Sequence, residues 1–256
     1  MSRLVEIEPG KFAHASGALW LRESRTAIIA DAHLGYGWAQ RRRGELGPLR
    51  DRMAQDKITA LIDELSPDEA VFLGDLVHAP RPGKMERLLI EDTLKSVAAR
   101  VRLTVVRGNH DRGFATDFGA LGIPLAEEWR SGSVVAVHGD RTPAVENCCL
   151  VLGHLHPALR IRDAAGATQS LPVFLAGQGL IVLPAFSPFA AGWDLTRGIP
   201  GAIAQTLPTR VEALAASGTR VVRLGPVVNG RLELARGTRT GRASEWRGFG
   251  FPRFRE

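Results

Sequence analysis

Thr26-Ala-Ile-Ile-Ala30 runs straight into Asp31-Ala-His33, so a short apolar segment delivers a carboxylate and an imidazole two positions apart. The chain repeats the arrangement. Ala70-Val-Phe-Leu73 precedes Gly74-Asp75, and Arg102-Leu-Thr-Val-Val106 precedes Gly108-Asn109-His110-Asp111. Ser133-Val-Val-Ala-Val137 precedes His138-Gly-Asp140, and Cys148-Cys-Leu-Val-Leu152 precedes Gly153-His154-Leu-His156. Short, near-continuous apolar runs rich in β-branched residues read as strands buried on both faces. The polar motifs then lie just past the carboxyl ends of strands, where open α/β sheets place their sites because several loops converge.

Working outward, residues 49–65 carry Leu49, Met53, Leu61 and Leu65 among charges and stop at Ser66-Pro67, which predicts an amphipathic helix. Residues 85–99 predict a second. After Pro157 the pattern turns to hairpins: Leu159-Arg-Ile-Arg162, a turn at Ala164-Ala-Gly-Ala167, then 171–176 and 180–183. Val227-Val-Asn229-Gly230-Arg-Leu232 predicts another, since Asn-Gly suits a type I′ turn. Residues 194–210, with Pro200 and Pro208, read as a connecting loop. The fold class is α/β, with alternating elements first and β-structure later. The expected division is a domain over 1–235 and a basic aromatic tail over 236–256, which is flexible or ordered only by packing or by a partner.

Composition sets outer bounds. The 256 residues, 45% hydrophobic and 23% charged, fit one large α/β domain and exclude a disordered or fibrous class. A net charge of +6 favours a polyanionic partner. The only cysteines, Cys148 and Cys149, are neighbours on a strand, where side chains point to opposite faces and do not pair. The first ten residues are too charged for a signal peptide, and the most apolar stretch, 179–191, is too short for a bilayer and is broken by Pro184 and Pro188. A cytoplasmic protein without a membrane partner is expected.

Five of the seven histidines fall in the motifs. Carboxylate, imidazole and amide oxygen are the donors that a pair of hard-to-borderline divalent cations takes. Asp31-x-His33 puts two side chains on one side of an extended segment. If Asp75 is shared, seven groups make two sites: Asp31, His33, Asp75 and His156 for one, Asp75, Asn109, His138 and His154 for the other. Two cations about 3.5–4 Å apart lower the pKa of a bridging water and clamp a phosphoryl oxygen. The attacking group is then a hydroxide held between them. His110 is placed to protonate the leaving alkoxide, with Asp111 setting its tautomer. His78 can stand behind the ligands, cap a helix or face solvent. His14 reads as structural and Asp140 as a turn residue.

The ordered set Asp-x-His, Gly-Asp, Gly-Asn-His-Asp, His and Gly-His-x-His resembles the calcineurin-like metallophosphoesterase superfamily, with every motif in place from residue 31 to 156. That resemblance implies two packed mixed β-sheets flanked by helices, with the metal site at the C-terminal ends of strands. It implies the same division of ligands and His110 as general acid or phosphate contact. A narrower set covers residues 15–193: Ala32-His-Leu-Gly-Tyr-Gly with Arg41-Arg-Arg-Gly, Gly74-Asp-Leu-Val-His-Ala79, Val106-Arg-Gly-Asn-His-Asp-Arg112, Gly153-His-Leu-His-Pro-Ala158 and Leu183-Pro-Ala-Phe186. It is similar to the bacterial ligase-associated DNA damage response metallophosphoesterases. This implies a manganese-dependent DNA nuclease or phosphodiesterase, with iron or zinc as alternative metals, working beside a DNA ligase and a helicase in repair. Tyr36 departs from that pattern, standing where the branch usually has lysine.

Arg41, Arg42, Arg43, Arg107 and Arg112 are the candidate contacts to a phosphate backbone, against the ordinary role of solvated charge. Trp246, Phe249, Phe251 and Phe254 of the tail suit packing against the body better than base stacking. The rival functions are a small-molecule phosphoesterase, for a cyclic nucleotide or phosphomonoester with the same metals, and a non-catalytic scaffold. The second conflicts with the complete ligand set. Oligomeric state is left open.

Overall fold

A computed structural model describes residues 2–45, 51–141, 146–162, 168–190, 192–199 and 207–233. The 236–256 segment, the 164–167 turn and the start of the 49–65 helix lie outside them.

The first sheet takes its strands in chain order: β1 (Leu4–Glu8), β2 (Lys11–His14), β3 (Leu19–Leu21), β4 (Thr26–Ala30), β5 (Glu69–Leu73), β6 (Arg102–Val106) and β7 (Leu125–Ala126). β1 to β4 form an antiparallel meander, and β4 to β7 run parallel. Parallel neighbours need crossovers, supplied here by helices α1 (Tyr36–Arg42) and α2 (Asp51–Leu65), by α3 (Lys84–Ala98), and by a 3-10 turn Asp111–Phe114 leading into α4 (Ala115–Ala120). The strands β1 to β3 and helix α1 carried no expectation from the sequence, whereas β4 is the expected Thr26–Ala30 strand.

The second sheet contains β8 (Trp129–Ser131), β9 (Val134–Val137), β10 (Cys149–Leu152), β11 (Pro157–Arg162), β12 (Thr168–Gly177), β13 (Leu180–Val182), β14 (Trp193–Asp194), β15 (Arg210–Ala216), β16 (Val221–Val228) and β17 (Arg231–Leu232). Its order is β17-β16-β15-β12-β13-β10-β9-β8, with β11 and β14 branching from β12. β9, β10 and β13 are parallel and most of the rest antiparallel, so both sheets are mixed. The Asn-Gly hairpin forms as expected, with Asn229 at φ 48° and Gly230 at φ 76°. The expected 194–210 loop is shorter than its span, because Asp194 closes β14 and Arg210 opens β15.

Adjacent residues of each central strand face opposite cores, which is why those strands read as unbroken apolar runs. Ile29, Phe72 and Val105 pack under Ile58 and Leu61 of α2 and Ile90 and Leu94 of α3. Their neighbours Ile28, Val71, Leu73 and Val106 meet Ala136, Val151, Phe174 and Ile181 of the second sheet. Each fully buried side chain of this kind contributes about 1.5–3 kcal/mol. The second sheet's outer face is covered by β11 and the Leu195–Arg197 turn, so helices flank only the first sheet among the described residues. Cys149 packs between the sheets and Cys148 against the outer cluster, and both are free thiols. No described helix is long and apolar enough to cross a membrane.

Candidate metal centre

Strand register brings the motifs level. Ala30, Leu73 and Val106 are partners across β4, β5 and β6, as are Val137, Leu152 and Val182 across β9, β10 and β13. Asp31 and Gly74 therefore leave the first sheet at one height, and His138 and Gly153 leave the second together. The Asp31 amide donates to the Gly74 carbonyl (3.2 Å), the His33 amide to Asp75 (3.0 Å) and the Gly153 amide to His138 (2.9 Å).

The backbone there is bent into an uncommon region. Ten described residues other than glycine have positive φ, and Asp31, His33, Asp75, His154 and His156 are five of them, at 44 to 62°. A left-handed backbone costs about 1–2 kcal/mol at such residues and persists where the surroundings over-determine it. The motif glycines answer a second demand, close approach. A Cβ on Gly74 would lie 2.2 Å from His138 Nδ1, and one on Gly108 would lie 2.1 Å from the Asp75 amide nitrogen. A side chain at Gly74 would push the second sheet's His138 away, and one at Gly108 would push apart the two first-sheet loops that carry Asp75 and Asn109.

Three sets of donor atoms each lie within 4.8 Å of one another: Asp31, His33 and His156; His33, Asp75 and His110; Asp75, His138 and His154. Asp75 and His33 each belong to two sets. His138 Nε2 is 3.1 Å from Asn109 Oδ1 and 3.1 Å from His154 Nδ1, which places Asn109 in the last set's surroundings. Asp31 Oδ2 accepts from the His154 amide at 2.9 Å, joining the sets across the sheets.

The donors fit a cation. Asp31 Oδ1, His33 Nδ1 and His156 Nε2 are buried without a hydrogen-bond partner among the described residues, an expensive arrangement unless something else satisfies them. His156 Nε2 does lie 3.1 Å from Asp31 Oδ1, but at an angle that makes no hydrogen bond. Burial pushes the His33 imidazole down to about 3. Burial, and then His138, lowers His154 as well. Both are thus held in the neutral form that coordinates metals. Burial acts the same way on His156, but the Asp31 and Asp75 carboxylates outweigh it and the net shift is upward. That pocket is one in which positive charge is favoured.

His110 Nδ1 donates to the His78 carbonyl at 2.7 Å, and its Nε2 lies 3.9 Å from Asp75 Oδ2. Asp111 does not set this tautomer, contrary to the expectation from sequence. Its carboxylate is fully buried and accepts from the Val77 amide (3.0 Å) and the Gly108 amide (2.9 Å), tying the Asp75 loop to the Asn109 loop. Burial raises it to about 6.

The candidate arginines divide. Arg42 bonds the Arg81 carbonyl (3.1 Å) and buried Glu86 (3.0 Å), so it joins α1 to α3. Arg41 lies over the Trp38 ring at 4.3 Å. Arg43 lines a small cleft with His78 and His110. Arg107 is paired with Glu127 at 3.0 Å. Arg107, Arg112 and Arg141 line a groove of about 590 Å³ with Asn109 and His138, Glu127, Glu128 and Asp140 share the lining, and Arg112 and Arg141 have no carboxylate partner among the described residues.

Arg141 and Phe189 join the site with no motif to announce them, Tyr36 joins it from the Ala32-His-Leu-Gly-Tyr-Gly motif, and His78 settles beside it, its ring 5.4 Å from His33 and 6.1 Å from His110. Phe189 arrives because the Phe186 and Ser187 amides bond the Ala30 and Asp31 carbonyls, at 2.8 and 3.1 Å, drawing that loop across the Asp31 motif.

Residues 24–168, more than half of the chain, match the family described as calcineurin-like phosphoesterase. The crystal structure of the Pseudomonas putida nuclease MPE is similar with a TM-score of 0.64 at 23% identity, covering 86% of this chain and 98% of that one, a likeness of fold. None of the curated proteins matches the chain. With the family's span enclosing all five motifs and their donors gathered at one sheet edge, the chain belongs to the calcineurin-like phosphoesterase family, metal-dependent hydrolases of phosphoester bonds.

Proposed function

We propose that the protein is a divalent-metal-dependent phosphodiesterase that cuts nucleic acid, with DNA in a repair setting as its substrate. Asp31, His33, Asp75 and His156 would hold one ion, and Asp75, Asn109, His138 and His154 a second, manganese being the first candidate for both. Bound there, the ions supply charge to the phosphate and lower the pKa of a water between them. The chain's own part is positional: Asp75 spans both sets, and His110 presents Nε2 to the leaving oxygen.

The observation that carries the nucleic-acid reading is the groove beside Asn109 and His138, where Arg112 and Arg141 stand without a carboxylate partner among the described residues although Glu127, Glu128 and Asp140 share the lining. A phosphate backbone extends past the bond being cut and needs cations there, whereas a small ester ends at the ligands. The structural neighbour is itself a nuclease, and the motif resemblance to the ligase-associated branch supports repair, with a DNA ligase and a helicase as partners. A cytoplasmic setting suits the two free thiols.

The test is hydrolysis with added Mn²⁺. Bis-p-nitrophenyl phosphate should be cleaved faster than p-nitrophenyl phosphate, plasmid DNA should be nicked, and Asp75→Ala should lose both activities along with most bound metal. Preference for the monoester with intact plasmid would favour a small-molecule phosphoesterase, and two tightly held ions in Asp75→Ala would remove Asp75 from the shared position.

A further inference from the structure

One wall of the cleft over the ligands is aromatic, and the hydrolysis has no use for it. Tyr36, the first residue of α1, and Phe189 line a cleft of about 360 Å³ together with His33, Asp75, Asn109 and His110. Their rings stack at 5.2 Å with an interplanar angle of 13°. Tyr36 also packs against the His78 ring at 4.6 Å, and its hydroxyl accepts from Gln40 Nε2 at 3.2 Å.

Phe189 is held as firmly. Its amide donates to Ser187 Oγ at 3.3 Å, and Lys57 of α2 donates to the Phe186 carbonyl at 2.7 Å. Neither Tyr36 nor Phe189 belongs to any of the three buried apolar clusters, so the pair does not serve the core. Both are half-buried, and among the described residues no ring other than Tyr36 stacks on Phe189.

We propose that Phe189, backed by Tyr36, is a nucleobase subsite. The base next to the scissile phosphate lies on the Phe189 ring while the phosphate sits at the ligands. This rests on the nucleic-acid reading of the site. Two ring contacts, His33 to His78 at 5.4 Å and His78 to Tyr36 at 4.6 Å, lead from a ligand to the wall, and His33 and Phe189 line the same cleft. The arginine groove lies beside Asn109 and His138, at the other set of donors, so the backbone continues there as the base turns to the wall. Every base has a π-face, so such a platform tolerates any sequence.

The experiment compares cleavage, with Mn²⁺, of oligothymidylate and of an equally long oligomer of reduced abasic residues carrying the same phosphates. The wild type should cut oligothymidylate faster by about tenfold, within the range base–aromatic stacking supplies. In Phe189→Ala the ratio should fall to about one, and in Phe189→Trp it should be kept. Phe189→Leu keeps apolar bulk without a π-face and replaces Phe189→Ala should that variant not fold. A wild-type ratio near one overturns the subsite and leaves the nuclease reading standing. The same high ratio in wild type and in Phe189→Leu overturns it too, making the ring a structural prop. Cleavage of bis-p-nitrophenyl phosphate with neither oligomer cut overturns the nucleic-acid reading, and the subsite with it.

Discussion

The two ring nitrogens of His110 are in different situations. Nδ1 donates to the His78 carbonyl, a contact that keeps its proton in place, so Nε2 is the nitrogen that gains and loses one. That is the arrangement of a general acid whose orientation is set by the backbone. His110→Ala should retain metal and lower turnover on alkyl phosphodiesters by about 10²–10⁴. The loss should shrink on p-nitrophenyl esters, whose leaving group departs without a proton. Equal losses on both in steady-state assays would make His110 a phosphate-positioning group instead. The same histidine lies within reach of His33 and Asp75, so bound metal should be counted in the variant as well.

Among the elements, α2 adds one polar link, Glu64, to its apolar packing on the first sheet. Glu64 takes Arg3 in a two-pronged contact, at 2.7 and 2.9 Å, and lies 3.1 Å from Nε2 of the fully buried His14 on β2. The hydrogen bonds from Arg3, then the interactions with His14, hold its carboxyl below the ordinary glutamate value of 4.5. A carboxylate lowered on folding stabilises the fold above its unfolded pKa, and that contribution is lost as pH falls through the folded value. Glu64→Gln should lower the thermal midpoint at pH 7 by about 2–4 °C, since a half-exposed pair contributes about 1 kcal/mol or less. The difference from wild type should close as the pH drops below 4.5. A gap unchanged between pH 7 and pH 3 would mean that packing, and not charge, is what the glutamate provides. Arg42 makes the matching link between α1 and α3, which is why an arginine triplet that reads as a phosphate track is in part a strut.

At the scale of the whole molecule, basicity is spread over the chain, and two of the arginines without a carboxylate partner among the described residues, Arg112 and Arg141, line the groove beside Asn109 and His138. Replacing Arg112 and Arg141 together by alanine should weaken DNA binding and flatten its salt dependence. Each lost phosphate contact removes about 0.9 from the log–log slope on duplex DNA and about 0.7 on single strands. Binding titrations between low and moderate salt measure this. A double variant with the parent's slope would leave the groove as solvated surface.

The strands that precede the motifs, and the donor-bearing motifs at their ends, were legible because each depends on local pattern. An unbroken apolar run marks a strand covered on both faces, and Asp-x-His or Gly-His-x-His carries its chemistry in adjacent letters. Strands β1 to β3 were less legible, since hairpins with short strands give weak periodicity. What the linear chain could not disclose were the pairings made across it. Asp111 lies beside His110 in sequence, yet its carboxylate turns to the Val77 and Gly108 amides, because a fully buried carboxylate needs the nearest donors. Phe189 is far from Tyr36 in sequence and stacks on it only because the loop after β13 bonds back to Ala30 and Asp31. Residue types and spacing thus determined the chemistry available to this protein. Strand register and loop crossings, which satisfy buried backbone groups over long sequence separations, decided which side chains surround it.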